Sequence, residues 1–313
     1  MSKIRTGLTV AYWLISLAFI AGAIFLLFRP DVITPEMPAP VAAPQTPLPP
    51  KAQPQPVADA EPAEKSAIIE YENARTSDPL GSVTRFYKRK EMLAGDARRK
   101  HTLTYYLYAP APPYPEGLTF PLVLVLHDHQ GVANAGQYLI EGNMPVKYPA
   151  FVAVPVLPFG KVWAVPRDFP EMPNLRALIR SRDGLKDAIQ LVSTLKKSYP
   201  IDKNRVYVIG CSEGGFGAFG AALRYPDTFA AAVPIGSGWT AADARGFAKV
   251  PLWVFHGAED AFIPPELSRG AASYIKAYGG KANYTEVPGV ANDCGAPQFY
   301  TPTLWKWLFS QHK

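Results

Sequence analysis

Apolar residues recur over residues 79–313 in short runs, separated by turn residues or by stretches with helical spacing. Runs rich in β-branched and aromatic residues are typical of strands, whereas apolar positions three and four residues apart are typical of helices. The pattern predicts strands at Val83–Glu91, Lys100–Tyr108, Phe120–Leu126, Phe151–Val156, Val206–Ile209, Phe229–Ile235, Val250–His256 and Ala282–Val287. It predicts helices at Asn174–Ser198, Pro264–Tyr278 and Thr301–Gln311, and another directly after Ser212. This alternation predicts an α/β fold with a mostly parallel central sheet flanked by helices.

The first two predicted strands differ from the rest, because a turn signal at Leu93–Asp96 joins them into a hairpin. Six basic residues lie on or near this hairpin: Lys88, Arg89, Lys90, Arg98, Arg99 and Lys100. Two interpretations stay open. The charges can protect the edge of a sheet against strand addition, or they can contact an anionic polymer or lipid surface.

The N-terminal residues 1–29 contain an uncharged run, Leu8–Phe28, that is long enough to cross a bilayer as a helix. Lys3 and Arg5 precede it, which favours an N-terminus in the cytoplasm and a chain that continues outside it, in the periplasm if the host is bacterial. A cleaved signal peptide or a buried core helix are the alternatives. The run ends in Leu-Leu-Phe-Arg-Pro, which suits signal cleavage poorly.

Residues 30–78 are rich in Pro, Ala, Gln and Glu and hold much of the chain's total of 33 prolines. Such a segment buries too little apolar surface to offset its ordering entropy, so it predicts an extended linker between the anchor and residues 79–313. A proline-rich recognition site is the alternative. The net charge of +6 is mild and no long basic block is present, which argues against a nucleic-acid partner.

Gly210-Cys211-Ser212-Glu213-Gly214 is a G-x-S-x-G sequence with a predicted strand before it and a predicted helix after it. This context predicts a sharp turn that presents Ser212 as a nucleophile at a helix N-terminus, where backbone N–H groups can stabilise an oxyanion. The alternative is a glycine-rich turn without chemistry.

The chain resembles the α/β-hydrolase fold, and within it the carboxylesterases related to feruloyl esterases, polyhydroxybutyrate depolymerases and dienelactone hydrolases. The resemblance rests on the segments 121–127, 210–238, 251–264 and 284–295, and it covers about residues 79–313. It implies a catalytic triad in the order Ser, Asp, His, with Ser212 as nucleophile and Asp260 as acid. A turn or capping role is the alternative for Asp260.

The position that the resemblance assigns to the catalytic histidine holds Asn292, in Gly289-Val290-Ala291-Asn292-Asp293. A neutral amide cannot accept the serine proton and pass it to a leaving group. Loss of a triad histidine typically lowers kcat by about 10⁶-fold. We therefore expect a pseudoenzyme that serves as a binding or assembly module.

The predicted oxyanion loop also departs from the family, because Asp128 follows His127 where the family has glycine. The backbone N–H groups of Asp128 and Glu213 are the expected oxyanion donors. His129 lies in the same loop and is the alternative base for a working esterase. His127 and His129 alone make only a two-ligand fragment, so the sequence predicts no metal site, and no cofactor is expected.

Cys211 and Cys294 lie on loops that converge in this fold. A disulfide is permitted outside the cytoplasm, but two buried thiols are the other interpretation, and the sequence does not decide between them.

Three functions follow. The first is a membrane-anchored pseudoenzyme with a protein partner in a membrane complex. The second is a serine carboxylesterase acting on small esters with a non-standard base. The third is a cell-envelope polymer-binding protein that uses the basic hairpin.

Overall fold

A computed structural model describes residues 78–157, 161–166 and 184–313. The predicted anchor, residues 30–77 of the predicted linker and the first part of the predicted helix Asn174–Ser198 lie outside these ranges. Within them, no helix combines the length and apolar character that crossing a membrane requires.

The described residues form one eight-stranded sheet with the order β1-β2-β4-β3-β5-β6-β7-β8. Pairing is antiparallel between β1 and β2 and between β2 and β4, and parallel between all other neighbours. The strands are β1 Lys88–Gly95, β2 Lys100–Tyr108, β3 Phe120–Leu126, β4 Phe151–Pro155, β5 Ile201–Cys211, β6 Ala231–Ile235, β7 Leu252–Gly257 and β8 Ala282–Val287. The mostly parallel sheet predicted from the sequence is confirmed.

Helices cover both faces of the sheet. They are α1 Asn134–Tyr138, α2 Met144–Lys147, α3 Gly184–Ser198, α4 Glu213–Arg224, α5 Pro265–Ala277 and α6 Pro302–Ser310. Buried residues of α3, α4 and α5 belong to the hydrophobic core on one face, while those of α1 and α6 belong to the core on the other face. Because both faces are covered, the central strands are apolar throughout: in β3 every residue except Phe120 is buried.

The predicted first strand, Val83–Glu91, begins too early. Gly81–Phe86 is a 3₁₀ helix, and the strand begins only at Lys88. The Asp78 carboxylate explains the difference, since it accepts hydrogen bonds from the Leu80 and Gly81 N–H groups, 3.2 Å each, and so stabilises a tight turn there. Capping interactions of this kind outweigh the strand preference of single residues.

The predicted hairpin forms, but its turn lies later than the sequence indicated, at residues 96–99. Asp96 Oδ1 accepts the N–H groups of Arg98 and Arg99 at 2.8 and 2.9 Å, and Gly95 supplies a positive φ of 107°. The hairpin places β1 at the edge of the sheet. Edge protection by the basic side chains is consistent with this position.

A buried carboxylate attaches the hairpin to its neighbours. Asp187 on α3 lies 2.8 Å from His101 Nε2 and 2.7 Å from Lys161 Nζ, and its side chain is only 2% exposed. Gln190 adds two hydrogen bonds to the backbone of Gly95. The chain segment at 161–166 is thereby tied to the same helix as the hairpin.

Candidate active site

Ser212 stands between the last residue of β5 and the first residue of α4, at φ 53° and ψ −116°. Among the described residues it is the one non-glycine residue with positive φ. A Cβ atom at Gly210 would lie 2.2 Å from Gly214 O, and one at Gly214 would lie 2.1 Å from Leu126 O. Only glycine fits at either position, so the two glycines allow the close approach of strand and helix that holds Ser212 at the turn.

Asp260 follows β7 and is buried. Its Oδ1 accepts the N–H groups of Phe262 and Ile263 at 2.9 Å each, and its Oδ2 accepts from Asn292 Nδ2 at 2.9 Å. His256 Nε2 lies 3.3 Å from the same Oδ2. Burial by itself raises the pKa of the Asp260 carboxyl, but the hydrogen bonds that it accepts outweigh burial and hold this pKa below its ordinary value.

Asn292 lies in the loop after β8, and its amide NH₂ contacts the carboxylate where a triad would place the imidazole N–H. The contact orients Asn292 but supplies no basic nitrogen. The geometry thus brings Asp260 and Asn292 together, as the resemblance implied.

One backbone position shows how closely the site residues converge. A Cβ atom placed on Gly236 would lie 3.9 Å from Asp260 Oδ2, 3.9 Å from Ser212 N and 3.8 Å from Cys211 Sγ. Gly236 has a positive φ of 55° and follows β6. The acid position and the serine backbone therefore flank the same small volume at the carboxyl edge of the sheet.

The loop after β3 changes the expected oxyanion site. The Asp128 N–H donates to Val132 O at 3.0 Å, and Asp128 Oδ1 accepts the Val132 N–H at 2.8 Å. Burial raises the pKa of the Asp128 carboxyl, against the opposing effect of the loop N–H groups and His129. The Asp128 N–H, one of the two expected oxyanion donors, is thus engaged by Val132 O in this structure. Glu213 keeps the expected position at the N-terminus of α4.

The five histidines of the chain all lie within the described residues. His127 is buried, accepts the Leu157 N–H through Nε2 at 2.9 Å and donates through Nδ1 to Asp128 O at 2.7 Å. His256 contacts Ser268 Oγ at 2.6 Å and Ile263 O at 2.7 Å. Both rings therefore hold loops in place. His129 is half-buried and interacts electrostatically with Asp128.

Cys211 and Cys294 form a disulfide, with 5.7 Å between their Cα atoms and a sequence separation of 83. Of the two interpretations of the cysteines, free thiols are therefore wrong in this structure. The bridge joins the residue before Ser212 to the residue two positions after Asn292. A covalent bond therefore holds the loop that carries Asn292 against the turn at Ser212.

Trp163 is a site residue that the sequence did not reveal. Its Nε1 donates to His127 O at 3.0 Å, and its ring packs against the His127 ring with centroids 5.1 Å apart. A Cβ atom on Gly217 would lie 2.7 Å from Trp163 Cβ. Trp163 thus contacts both α4 and the loop after β3, and it supports that loop. Residues 161–166 form neither a strand nor a helix, so no strand or helix periodicity in the sequence predicts this role.

Within residues 78–157, 161–166 and 184–313, no group of three or more His, Cys, Asp or Glu side chains is arranged to hold a metal ion.

Comparisons with known proteins agree on the fold. The model of the prolyl oligopeptidase family matches residues 180–240, which include Ser212 and α4. Poly(3-hydroxyalkanoate) depolymerase C from Paucimonas lemoignei is 47% identical over 49 residues, which is 16% of this chain and 12% of the depolymerase. The local identity is high, but the chain spans a small share of that relative.

Two solved structures extend the likeness to the whole described domain. A thermostable esterase superposes with a TM-score of 0.64 at 27% identity, over 74% of this chain and 64% of the esterase. A candidate dienelactone hydrolase from Klebsiella pneumoniae superposes with a TM-score of 0.54 at 16% identity, over 72% of this chain and 99% of that protein. The second likeness concerns the fold alone.

Proposed function

We propose, from the premise that the described domain has the α/β-hydrolase fold and is similar to the esterase group within it, that the chain is a pseudoenzyme. In this proposal Ser212 and Asp260 keep the nucleophile and acid positions, and Asn292 replaces the histidine. The domain then acts as a binding or assembly module for a protein partner in a membrane complex.

The contact between Asn292 Nδ2 and Asp260 Oδ2 carries the proposal. A serine hydroxyl becomes a nucleophile when an adjacent base removes its proton. The amide of Asn292 has no proton-accepting nitrogen, so the Ser212 proton stays in place at neutral pH. The engaged N–H group of Asp128 supports the same conclusion, because it removes one expected oxyanion donor.

The test measures the serine directly. Full-length protein and Ser212→Ala are compared for hydrolysis of p-nitrophenyl acetate and for labelling by a fluorophosphonate. We expect hydrolysis by the two proteins to be equal and labelling to stay substoichiometric. Stoichiometric labelling of the unmodified protein, or ester turnover at ordinary enzyme rates that Ser212→Ala abolishes, would refute the pseudoenzyme.

A serine carboxylesterase with a non-standard base is the second candidate. The retained elbow glycines favour it, since they still hold Ser212 at the turn where a nucleophile would stand. His129 is then the base, and small esters are the substrates. This candidate requires that His129→Ala abolish turnover as completely as Ser212→Ala does, while His101→Ala leaves turnover unchanged.

We also propose that Leu8–Phe28 anchors the chain in a membrane, with the N-terminus in the cytoplasm and the domain outside it. The Cys211–Cys294 disulfide supports this location, because such bonds persist in oxidising compartments. Full-length protein should stay with membranes through high salt and carbonate, and external protease should release the domain. A mature protein that starts before Asp78 and is soluble in untreated cells would contradict the anchor.

A further inference from the structure

A groove lies at the opposite edge of the sheet from Ser212. Phe120, the first residue of β3, lines it, whereas the candidate active site lies beyond the last residues of β3, β5, β7 and β8. The volume of this basal groove is about 470 Å³, which is within the range of small-molecule sites. Nothing in the proposed function uses it.

Aromatic side chains form one wall of the basal groove. The rings of Tyr148 and Phe309 stack with centroids 4.7 Å apart and an angle of 8° between their planes. Phe120 is half-buried beside them. A flat or extended apolar group has a preformed surface to pack against here.

Three cationic side chains also line the basal groove, Lys147, Arg205 and Lys306, and among the residues that the structure describes no acidic one lines it. Lys147 Nζ lies 5.3 Å from the centroid of the Tyr148 ring, so positive charge borders the aromatic wall directly. Arg205 is held in position by Asp202 Oδ2 at 2.7 Å and by Thr119 O at 3.2 Å. The two lysines are exposed at the rim.

We propose that the basal groove binds a small amphiphilic carboxylate. Its ring or chain packs against Tyr148 and Phe309, and its carboxylate lies between Lys147 and Lys306. The complementary charge selects an anion over a neutral molecule of the same shape, because Lys147 and Lys306 face it with positive charge. The site is separate from Ser212, so occupancy does not depend on whether the serine reacts.

A second groove provides the control for the lysine substitutions. Lys276 and Lys281 line it, together with Trp307. Lys147→Glu with Lys306→Glu and Lys276→Glu with Lys281→Glu change the net charge equally. Only the first pair borders the stacked aromatic wall. A general attraction of anions to a basic protein therefore predicts equal effects, and the basal groove predicts unequal ones.

The experiment is ¹⁹F NMR with 4-(trifluoromethyl)benzoate and the full chain in lipid nanodiscs, with empty nanodiscs as background. We expect Lys147→Glu/Lys306→Glu to raise Kd about 10-fold, which corresponds to about 1.4 kcal/mol. Lys276→Glu/Lys281→Glu should change Kd less than about twofold. The neutral 4-(trifluoromethyl)benzyl alcohol should bind the wild type about 10-fold more weakly than the benzoate.

Phe309→Ala tests the aromatic wall independently of the charges. It should raise the Kd of the benzoate and the Kd of the alcohol by the same factor. Equal losses from the two lysine pairs, equal Kd values for the benzoate and the alcohol, or no saturable binding to the wild type would each overturn the proposal. Unchanged thermal unfolding of the variants confirms that lost binding is not lost folding.

Discussion

Asn292→His is the substitution that tests most directly what the candidate active site lacks. In both side chains a δ nitrogen is bonded to Cγ, so the imidazole Nδ1–H can occupy the place from which Asn292 Nδ2 donates to Asp260 Oδ2, 2.9 Å away. In a triad the second ring nitrogen, Nε2, faces the serine, so this nitrogen is the one that would act as base. The Cys211–Cys294 disulfide holds the loop in position for this contact.

The magnitude follows from general-base catalysis, which contributes about 10²–10⁴-fold, or roughly 2.7–5.4 kcal/mol of barrier at 1.36 kcal/mol for each tenfold. A complete triad histidine is worth about 10⁶-fold. We expect the lower figure, about 10² in kcat/KM, because the Asp128 N–H donates to Val132 O and does not serve as an oxyanion donor.

The assay is p-nitrophenyl butyrate hydrolysis together with the rate of fluorophosphonate labelling. Asn292→Gln is the matched control, since it keeps an amide and adds no base, and Asn292→His with Ser212→Ala must return to background. The activity should rise with pH through the ordinary imidazole range near 6.5. Asp260 does not limit it there, because its lowered pKa keeps the carboxylate ionised.

One result would refute this reasoning. If Asn292→His unfolds at the same temperature as the wild type yet hydrolyses the ester and reacts with the label no faster, the missing base is not the lesion that matters. Asn292→His with Asp128→Gly then distinguishes a defective oxyanion loop, because this pair also frees the loop from the Asp128 side chain.

Three further variants test the supporting structure. Replacing Cys211 and Cys294 by Ala should cost about 4.5 kcal/mol by loop entropy for a separation of 83 residues, measured as a lower free energy of unfolding in urea. Asp187→Ala should cost about 3–5 kcal/mol, because Lys161 would lose the carboxylate that it contacts at 2.7 Å, and a fall in the urea midpoint measures this. Asp128→Asn should leave stability at pH 7 unchanged or higher. It keeps an acceptor for the Val132 N–H and removes a buried charge. Since the folded pKa of Asp128 is raised, the wild type should gain stability relative to this variant as pH falls through that pKa towards about 3.9, and thermal unfolding against pH checks the sign.

The strands and the elbow could be predicted because their signals are local. Phe120–Leu126 is apolar without interruption, and the structure places it as β3 between two parallel neighbours. Gly210 and Gly214 are required by close backbone contacts, the first within the turn and the second with the end of β3. By contrast, the start of β1 was predicted too early, because a side-chain cap from Asp78 determines the local turn.

The candidate site could be predicted only from the order in which its residues follow one another in the family that the chain resembles. That order placed Asp260 opposite Asn292, and the observed contact agrees with it. It could not reveal that the Asp128 N–H donates to Val132 O, nor that Trp163 supports the His127 carbonyl. These contacts depend on side-chain directions in irregular loops, which no repeat in the sequence encodes.

The sequence by itself therefore determined the order of the eight strands along the chain and the turn at Ser212, because both follow from residue type and spacing within a few positions. The family resemblance added that position 292 holds an amide, which cannot act as a general base. The tertiary structure alone decided which distant groups meet: Cys211 with Cys294, Lys161 with Asp187, and the aromatic wall with the lysines of the basal groove. The physical reason is that these contacts form only when separate strands and helices pack into one sheet, and their energies depend on distances that residue order leaves open.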